Sequence, residues 1–291
     1  MIHSLLSLLF ASTLQGGYSS EFSAIQAFDE SSLITVAQLP IKNPSFVEPG
    51  TLSANTAIAI DIDSQAVLFK KNADQRVPIA SITKLMTAAV ILDENNPDDI
   101  VTVSANAAST PGSRMGLSTG EQISVAQLLH GLLIESGNDA AIALAEYNAG
   151  STSAFVEKMN AKTKELGLNN TRYVNPTGLD SESAYSSARD VALLASHLVE
   201  DPNIHAIAQL KELEITSQSG QVHKLKSTNI LLGELGIKGL KTGTTSLAGE
   251  CLVSFAKSPS GHDIVTVILG SKSRFSDTRT LVEWIYNAYH W

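Results

Sequence analysis

The chain is predicted to fold as an α+β protein, an antiparallel sheet covered by helices with a helical lobe beside it. Three observations lead there. Short strand-like apolar runs lie towards both ends of the chain, helical periodicity fills the stretch between them, and turn residues mark the junctions. With 43% hydrophobic and 17% charged residues in 291, there is ample material for a core.

Met1 to Leu14 form a short apolar run followed by Gln15-Gly16-Gly17, the length of a signal-peptide apolar region and too short to span a bilayer. Residues 1–17 are read as a signal peptide and 18–50, mixed in Ser, Glu, Gln and Pro without period, as a linker. A single domain is expected over 51–291. Residues 57–62 and 66–69 flank a polar turn and predict a β-hairpin. Apolar residues at helical spacing over 82–92 predict a helix that stops before Asn95-Asn96-Pro97.

Ser124 is placed to cap a helix over 125–134, and Asn138 to cap another over 139–147. A third helix is predicted over 154–166, ending on Gly167, which suits the left-handed position after a helix. Ser187 and Asp190 open a fourth in capping-box fashion, ending before Pro202. Strands are expected at 213–216, 249–256 and 263–269, with Ser258-Pro259-Ser260-Gly261 turning between the last two. A helix over 275–289 closes the chain.

Twenty basic residues against 29 acidic give a net charge of −9, and no Lys/Arg run is present. That excludes a nucleic-acid protein, which needs a clustered basic face. Seven histidines show no metal-binding spacing, so no metal site is expected. Cys251 is the only cysteine; it lies in an apolar segment and reads as a buried core thiol.

Candidate chemistry rests on three short motifs. Ser81-Ile82-Thr83-Lys84 is an S-x-x-K, and so is Ser254-Phe255-Ala256-Lys257. The second falls in a predicted strand, where residues three apart point to opposite faces. The first falls in the opening turn of a helix, where they share a face. A lysine there opposes the helix dipole, and a capping box would carry Glu or Gln instead. Burial and the positive helix end both lower a lysine's pKa, making a neutral amine available to take the serine proton. The same helix start frees the Ser81 N–H for an oxyanion hole.

Ser136-Gly137-Asn138 reads as helix punctuation, or as a tight turn presenting both polar side chains to a cleft; the two are compatible. Lys241-Thr242-Gly243 reads as an exposed strand start, or as a cationic strand edge. In the second case Lys241 and Thr242 hold a carboxylate and Gly243 lets a ligand backbone lie close. Glu165-Leu166-Gly167-Leu168-Asn169 matches the segment carrying the deacylating glutamate of class A β-lactamases, but it falls at a helix end, and Glu165 is read as solvated.

In this order the three motifs resemble those of active-site-serine penicillin enzymes. The likeness extends to Asn175-Pro176-Thr177-Gly178-Leu179-Asp180, Ser186 to Asp190, Thr228 to Leu232, and Gly239 to Thr245. From about residue 54 to the end, the chain resembles the low-molecular-mass penicillin-binding proteins, the serine D-Ala-D-Ala carboxypeptidases. Gly137, rather than Asp, favours this peptidase branch over class A β-lactamases.

The resemblance implies the β-lactamase/transpeptidase-like fold, with 51–291 as the catalytic domain. Ser81 would be acylated by peptidoglycan stem peptides ending in D-Ala-D-Ala, with Lys84 as base. Ser136 and Asn138 would relay the leaving-group proton and hold the substrate amide. Lys241 and Thr242 would bind the terminal carboxylate, beside Gly243, and the N–H groups of Ser81 and Thr244 would form the oxyanion hole. No cofactor is implied; β-lactams would inhibit; the protein would be exported to the periplasm or cell surface. Some relatives carry His in place of Thr244 and Arg in place of Thr228. The family's second β-rich domain and C-terminal amphipathic membrane helix are not expected here, so no membrane anchor after signal cleavage is expected. One-domain relatives include D,D-endopeptidases, which makes cross-link cleavage the alternative, ahead of a β-lactamase and a silent wall-binding protein.

Overall fold

A computed structural model describes residues 38–291 of the chain. The expected signal peptide, and the expected linker as far as residue 37, lie outside the described residues. Within the rest of that linker, strand β1 (Ile41–Lys42) already pairs with the last residues of the chain, and Val47 O accepts from Trp284 Nε1 at 2.6 Å.

The hairpin forms as expected from β2 (Thr56–Asp61) and β3 (Val67–Lys71). A 3₁₀ turn, Ala80–Thr83, leads into α1 (Lys84–Glu94). Every residue of α1 from Lys84 to Ile91 is buried, as its nearly unbroken apolar sequence requires. The polar side chain at its start is therefore carried into the interior.

The helical lobe surrounds α1. It contains β4 (Ile100–Thr102), α2 (Ala105–Ala108), β5 (Gln122–Ser124), α3 (Val125–Ile134), α4 (Asn138–Ala149), α5 (Thr152–Glu165), α6 (Ala188–Val199) and α7 (Pro202–Ala208). Ser124 caps α3 with a full capping box through Gln127, and Gly167 takes a left-handed φ of 69° after α5. At α6 only half of the expected box forms. Ser187 Oγ accepts from Asp190 N, while the Asp190 carboxylate accepts from Asn170 N and Thr171 Oγ1. Pro202 starts α7 rather than merely ending α6, with Asp201 as its cap.

The chain returns to strands with β6 (Glu212–Thr216), β7 (Val222–Lys226), β8 (Ile237–Thr245), β9 (Gly249–Lys257) and β10 (Asp263–Ser271). It closes with α8 (Arg274–Ala288) and β11 (Tyr289–His290). The main sheet is antiparallel in the order β3-β2-β10-β9-β8. Pairing of β2 with β10 joins the two ends of the domain, so the helical lobe is an insertion between sheet strands.

Both sheet faces are covered, and the side-chain alternation shows it. Ile58, Ile60, Val253, Phe255, Val265 and Val267 pack into the core shared with the helical lobe. Their neighbours Ala57, Ala59, Ile264 and Ile268 pack against Leu281, Trp284 and Ile285 of α8. Cys251 is fully buried, and that burial pushes its thiol up to about 11.

Ile285 is fully buried between α8 and the sheet. Ile285→Ala is expected to cost about 2–5 kcal/mol of stability, read as a lower urea midpoint with the slope unchanged.

Candidate active site

Lys84 is the centre of the site. It begins α1, is fully buried, and its Nζ lies 2.9 Å from Ser81 Oγ one 3₁₀ turn earlier, where residues three apart eclipse. Nζ donates to Asn138 Oδ1 at 2.7 Å and to Thr177 O at 2.6 Å. Among the described residues no carboxylate comes within ion-pair distance of it. Burial holds the amine well below the usual lysine range; the charge on Lys241 pushes the same way, and Asp139 pulls upward.

Geometry then assigns the lone pair. Carbonyl oxygens only accept, so a neutral amine gives its two N–H groups to Thr177 O and Asn138 Oδ1. The third position faces Ser81 Oγ.

The backbone around Ser81 is tightly constrained. Ala80 has a positive φ of 49°, which costs a non-glycine residue about 1–2 kcal/mol. Gly178, at φ 82°, lies so close that a Cβ there would sit 1.9 Å from Ala80 O. Its loop is shaped by Asn175, whose Oδ1 accepts from Thr177 N, Thr177 Oγ1 and Gly178 N. Thr87 Oγ1 donates to Pro176 O, docking the loop on α1. On the other side, a Cβ at Gly243 would come 3.0 Å from Ser81 N, so β8 passes directly beside the Ala80–Thr83 turn.

Ser136 occupies the turn between α3 and α4, at φ 63° and 4% exposed. Its hydroxyl has no hydrogen-bond partner among the described residues. Asn138 differs from the helix cap expected of it: Gly137 is the cap residue, without a side-chain bond. The Asn138 amide turns inward instead, its Oδ1 taken by Lys84 and its Nδ2 donating to Pro111 O at 2.6 Å. The neighbouring Asp139 holds the adjoining loop, accepting from Met115 N, Gly116 N and Leu117 N.

Lys241, Thr242, Gly243 and Thr244 lie within β8, an edge strand of the sheet. Lys241 and Thr242 are buried rather than exposed. Lys241 Nζ donates to Thr242 O at 2.9 Å and has no acidic partner among the described residues, and burial with the nearby Arg274 charge brings it down to about 7. Thr242 Oγ1 lies 2.5 Å from Thr228 Oγ1. Arg274 Nη1 donates to Gly243 O at 2.9 Å and to Thr244 Oγ1.

Sequence reasoning gave no site role to Arg274 or to the Thr177 carbonyl. Arg274 carries no motif and reaches β8 only because α8 packs on the sheet. A main-chain carbonyl has no side-chain signature, although Asn175 and Gly178 mark the turn that presents it. The other S-x-x-K separates as expected: Ser254 is buried in β9, while Lys257 pairs with Asp263. Glu165 is exposed at the end of α5 and paired with Lys162. Among the described residues no group of three His, Cys, Asp or Glu side chains is placed to hold a metal.

Gly178→Ala places a Cβ on Ala80 O and strains φ, so acylation by a fluorescent penicillin is expected to fall at least about a hundredfold, the scale for misplacing a reacting group. The pH profile of kcat/KM reports free-enzyme groups. It is expected to rise as Lys84 loses its proton and to fall above about 7 as Lys241 loses its own. Lys241→Arg keeps the charge and moves the falling limb to higher pH; an unmoved limb assigns it to another group.

A sequence profile of the D-alanyl-D-alanine carboxypeptidase family, peptidase S11, matches residues 42–273. D-alanyl-D-alanine carboxypeptidase DacF of Bacillus subtilis is 37% identical over 244 residues, 81% of this chain; the chain spans 63% of that relative's length. A D-alanyl-D-alanine endopeptidase of Pseudomonas aeruginosa is 35% identical over 80% of this chain and 77% of its own. The crystal structure of the Streptomyces K15 DD-transpeptidase superimposes with a TM-score of 0.77 at 29% identity, covering 83% of this chain and all of that one. Its fold is the transpeptidase/β-lactamase-like fold expected from the sequence. The chain belongs to the D-alanyl-D-alanine carboxypeptidase family, peptidase S11.

Proposed function

We propose that the protein is a serine D,D-carboxypeptidase that removes the terminal D-Ala from peptidoglycan stem peptides through an acyl-enzyme on Ser81. The contact that carries this reading is Lys84 Nζ to Ser81 Oγ, made by a fully buried amine whose other two directions are taken by carbonyl oxygens. Lys84 accepts the serine proton as Oγ attacks the carbonyl between the two D-alanines. The developing oxyanion is held by the N–H groups of Ser81 and Thr244. The proton passes to the leaving amine through Lys84 and Ser136, whose hydroxyl is free of other partners among the described residues. Water then attacks the ester, with Lys84 again as base.

Charge supports a substrate that ends in a carboxylate. Lys241 is buried without an acidic partner among the described residues, and Arg274 lies beside the same strand, in a chain of net charge −9. Lys241 and Thr242 hold the carboxylate, with Arg274 reinforcing the field where an arginine in place of Thr228 is lacking. The remaining N–H of Asn138 Nδ2 is available to a substrate amide oxygen, and the peptide lies along the β8 edge, while Gly243 makes room for the Ser81 turn. β-Lactams, which present a carboxylate and a strained amide, acylate the same serine.

The domain proposal is a signal peptide at 1–17, a linker at 18–50 whose end packs on the domain through β1 and Val47, and the catalytic domain at 51–291, with export to the periplasm or cell surface. No helix among the described residues is long and apolar enough to cross a membrane. The second reading, a D,D-endopeptidase acting on cross-links, is supported by the Pseudomonas aeruginosa relative of that name.

Wild-type protein is expected to take a fluorescent penicillin covalently, and Ser81→Ala and Lys84→Ala to take none. Equal labelling of the Ser81 variant sinks the acyl-enzyme proposal. Incubation with pentapeptide muropeptides is expected to release D-alanine; conversion of cross-linked dimers to monomers without that release assigns the endopeptidase reading instead. Rapid loss of the label counts for a β-lactamase.

A further inference from the structure

His223 of β7 and Glu121 meet beneath the loop that flanks Asn138, each only 3% exposed. His223 Nε2 lies 2.6 Å from Glu121 Oε1, and Nδ1 lies 3.1 Å from Met115 O. A carbonyl only accepts, so Nδ1 carries a proton. The short contact at Nε2 then needs a second proton, held between imidazole and carboxylate in either of its two arrangements. In both arrangements the ring donates to Met115 O. Glu121 Oε2 is fixed in turn by Ser118 N at 3.0 Å.

Met115 is held from its other side as well. Its N–H donates to Asp139 Oδ1 at 3.0 Å, and its sulfur rests where a Cβ at Gly131 would lie 2.2 Å away. Just before β7, Gln221 Nε2 donates to Gly116 O and to Ser118 Oγ. The segment pinned in this way supplies both main-chain partners of Asn138. Asn138 N donates to Ser113 O at 2.7 Å and Asn138 Nδ2 to Pro111 O at 2.6 Å. Asn138 Oδ1 is one of the two carbonyl oxygens that orient Lys84. A continuous path therefore runs from Glu121 through His223, Met115 and the 111–115 backbone to the base.

We infer that His223, seated on Glu121, is a positioning residue for acylation: through Met115 O it holds the segment that aims the Asn138 amide at Lys84. This rests on the assignment of Ser81 and Lys84 made above. A buried His–Glu pair contributes little net stability, whereas removing one partner leaves the other unpaired at a real cost. The test therefore separates the contact to Met115 from the pair itself.

His223→Gln places its amide towards Glu121 and loses the bond to Met115 O. His223→Asn in a Glu121→Gln background keeps a donor to Met115 O and removes the pair. Glu121→Gln alone keeps the ring and its bond to Met115. Acylation rates with a fluorescent penicillin are measured well below each unfolding midpoint, together with the NMR signals of the Asn138 side-chain amide. The expected result is roughly tenfold slower acylation in His223→Gln with shifted Asn138 signals, the scale of a misaligned reacting group. The two variants that keep the Met115 bond are expected within about threefold of wild type, whatever their melting temperatures.

His223→Gln acylating at the wild-type rate overturns the inference. So does a roughly tenfold loss in either of the other two variants, an arm that stands even if His223→Gln does not fold. Losses that track the unfolding midpoints also overturn it. A labelled wild type with an unaffected His223→Gln sinks this inference alone, while an unlabelled wild type sinks the acyl-enzyme reading and this with it.

Discussion

A buried amine with no carboxylate within ion-pair distance among the described residues is the constraint on which the rest of this structure depends. Lys84 sits at the first position of a helix whose next seven residues are all buried, so the amine goes wherever the core helix goes. A charged lysine there would be costly, and the surroundings favour the neutral form. Two carbonyl acceptors then fix its orientation, and each belongs to a different part of the fold. Thr177 comes from the loop after α5, Asn138 from the start of α4. Lys84 is thus oriented by the packing of two elements against α1.

The same assembly explains where the backbone is strained. Ala80 and Ser136, one residue before Ser81 and in the turn before Asn138, both adopt positive φ without being glycine. Such conformations persist only when neighbours over-determine them. Gly178 presses on Ala80 O from one side, β8 closes on Ser81 from the other, and Asp139 braces the loop beside Ser136. Strain is held where the sheet meets the helical lobe.

Electrostatics differs between the start of α1 and the sheet edge. Burial favours the neutral form of Lys84, whereas Lys241 and Arg274 supply positive charge at the sheet edge. Mutual repulsion couples them, since the charge on Lys241 helps keep Lys84 deprotonated. A carboxylate entering beside Lys241 partly offsets that charge. On the proposed assignment, substrate binding and the protonation of Lys84 are therefore linked, and the local field is opposite in sign to the chain as a whole.

Local patterns alone determined much of this. The shared face of Ser81 and Lys84, the β2–β3 hairpin, the Ser124 cap, the Gly167 stop and the rejection of the Ser254 pattern all follow from short-range spacings. β7 escaped notice because its outward residues alternate as Val222, Lys224 and Lys226, leaving only His223 and Leu225 on the buried face. Asn138 looked like a cap because Asn before a helix usually is one; its partners, Lys84 and Pro111, lie 54 and 27 residues away. Tertiary structure alone decided the strand order that puts Lys241 on an edge, the carbonyl of Thr177 on the base, Arg274 beside Gly243, and His223 under Met115. Each of those is a meeting of distant segments, often through main-chain atoms, and such meetings leave no periodicity or residue type for a sequence to display.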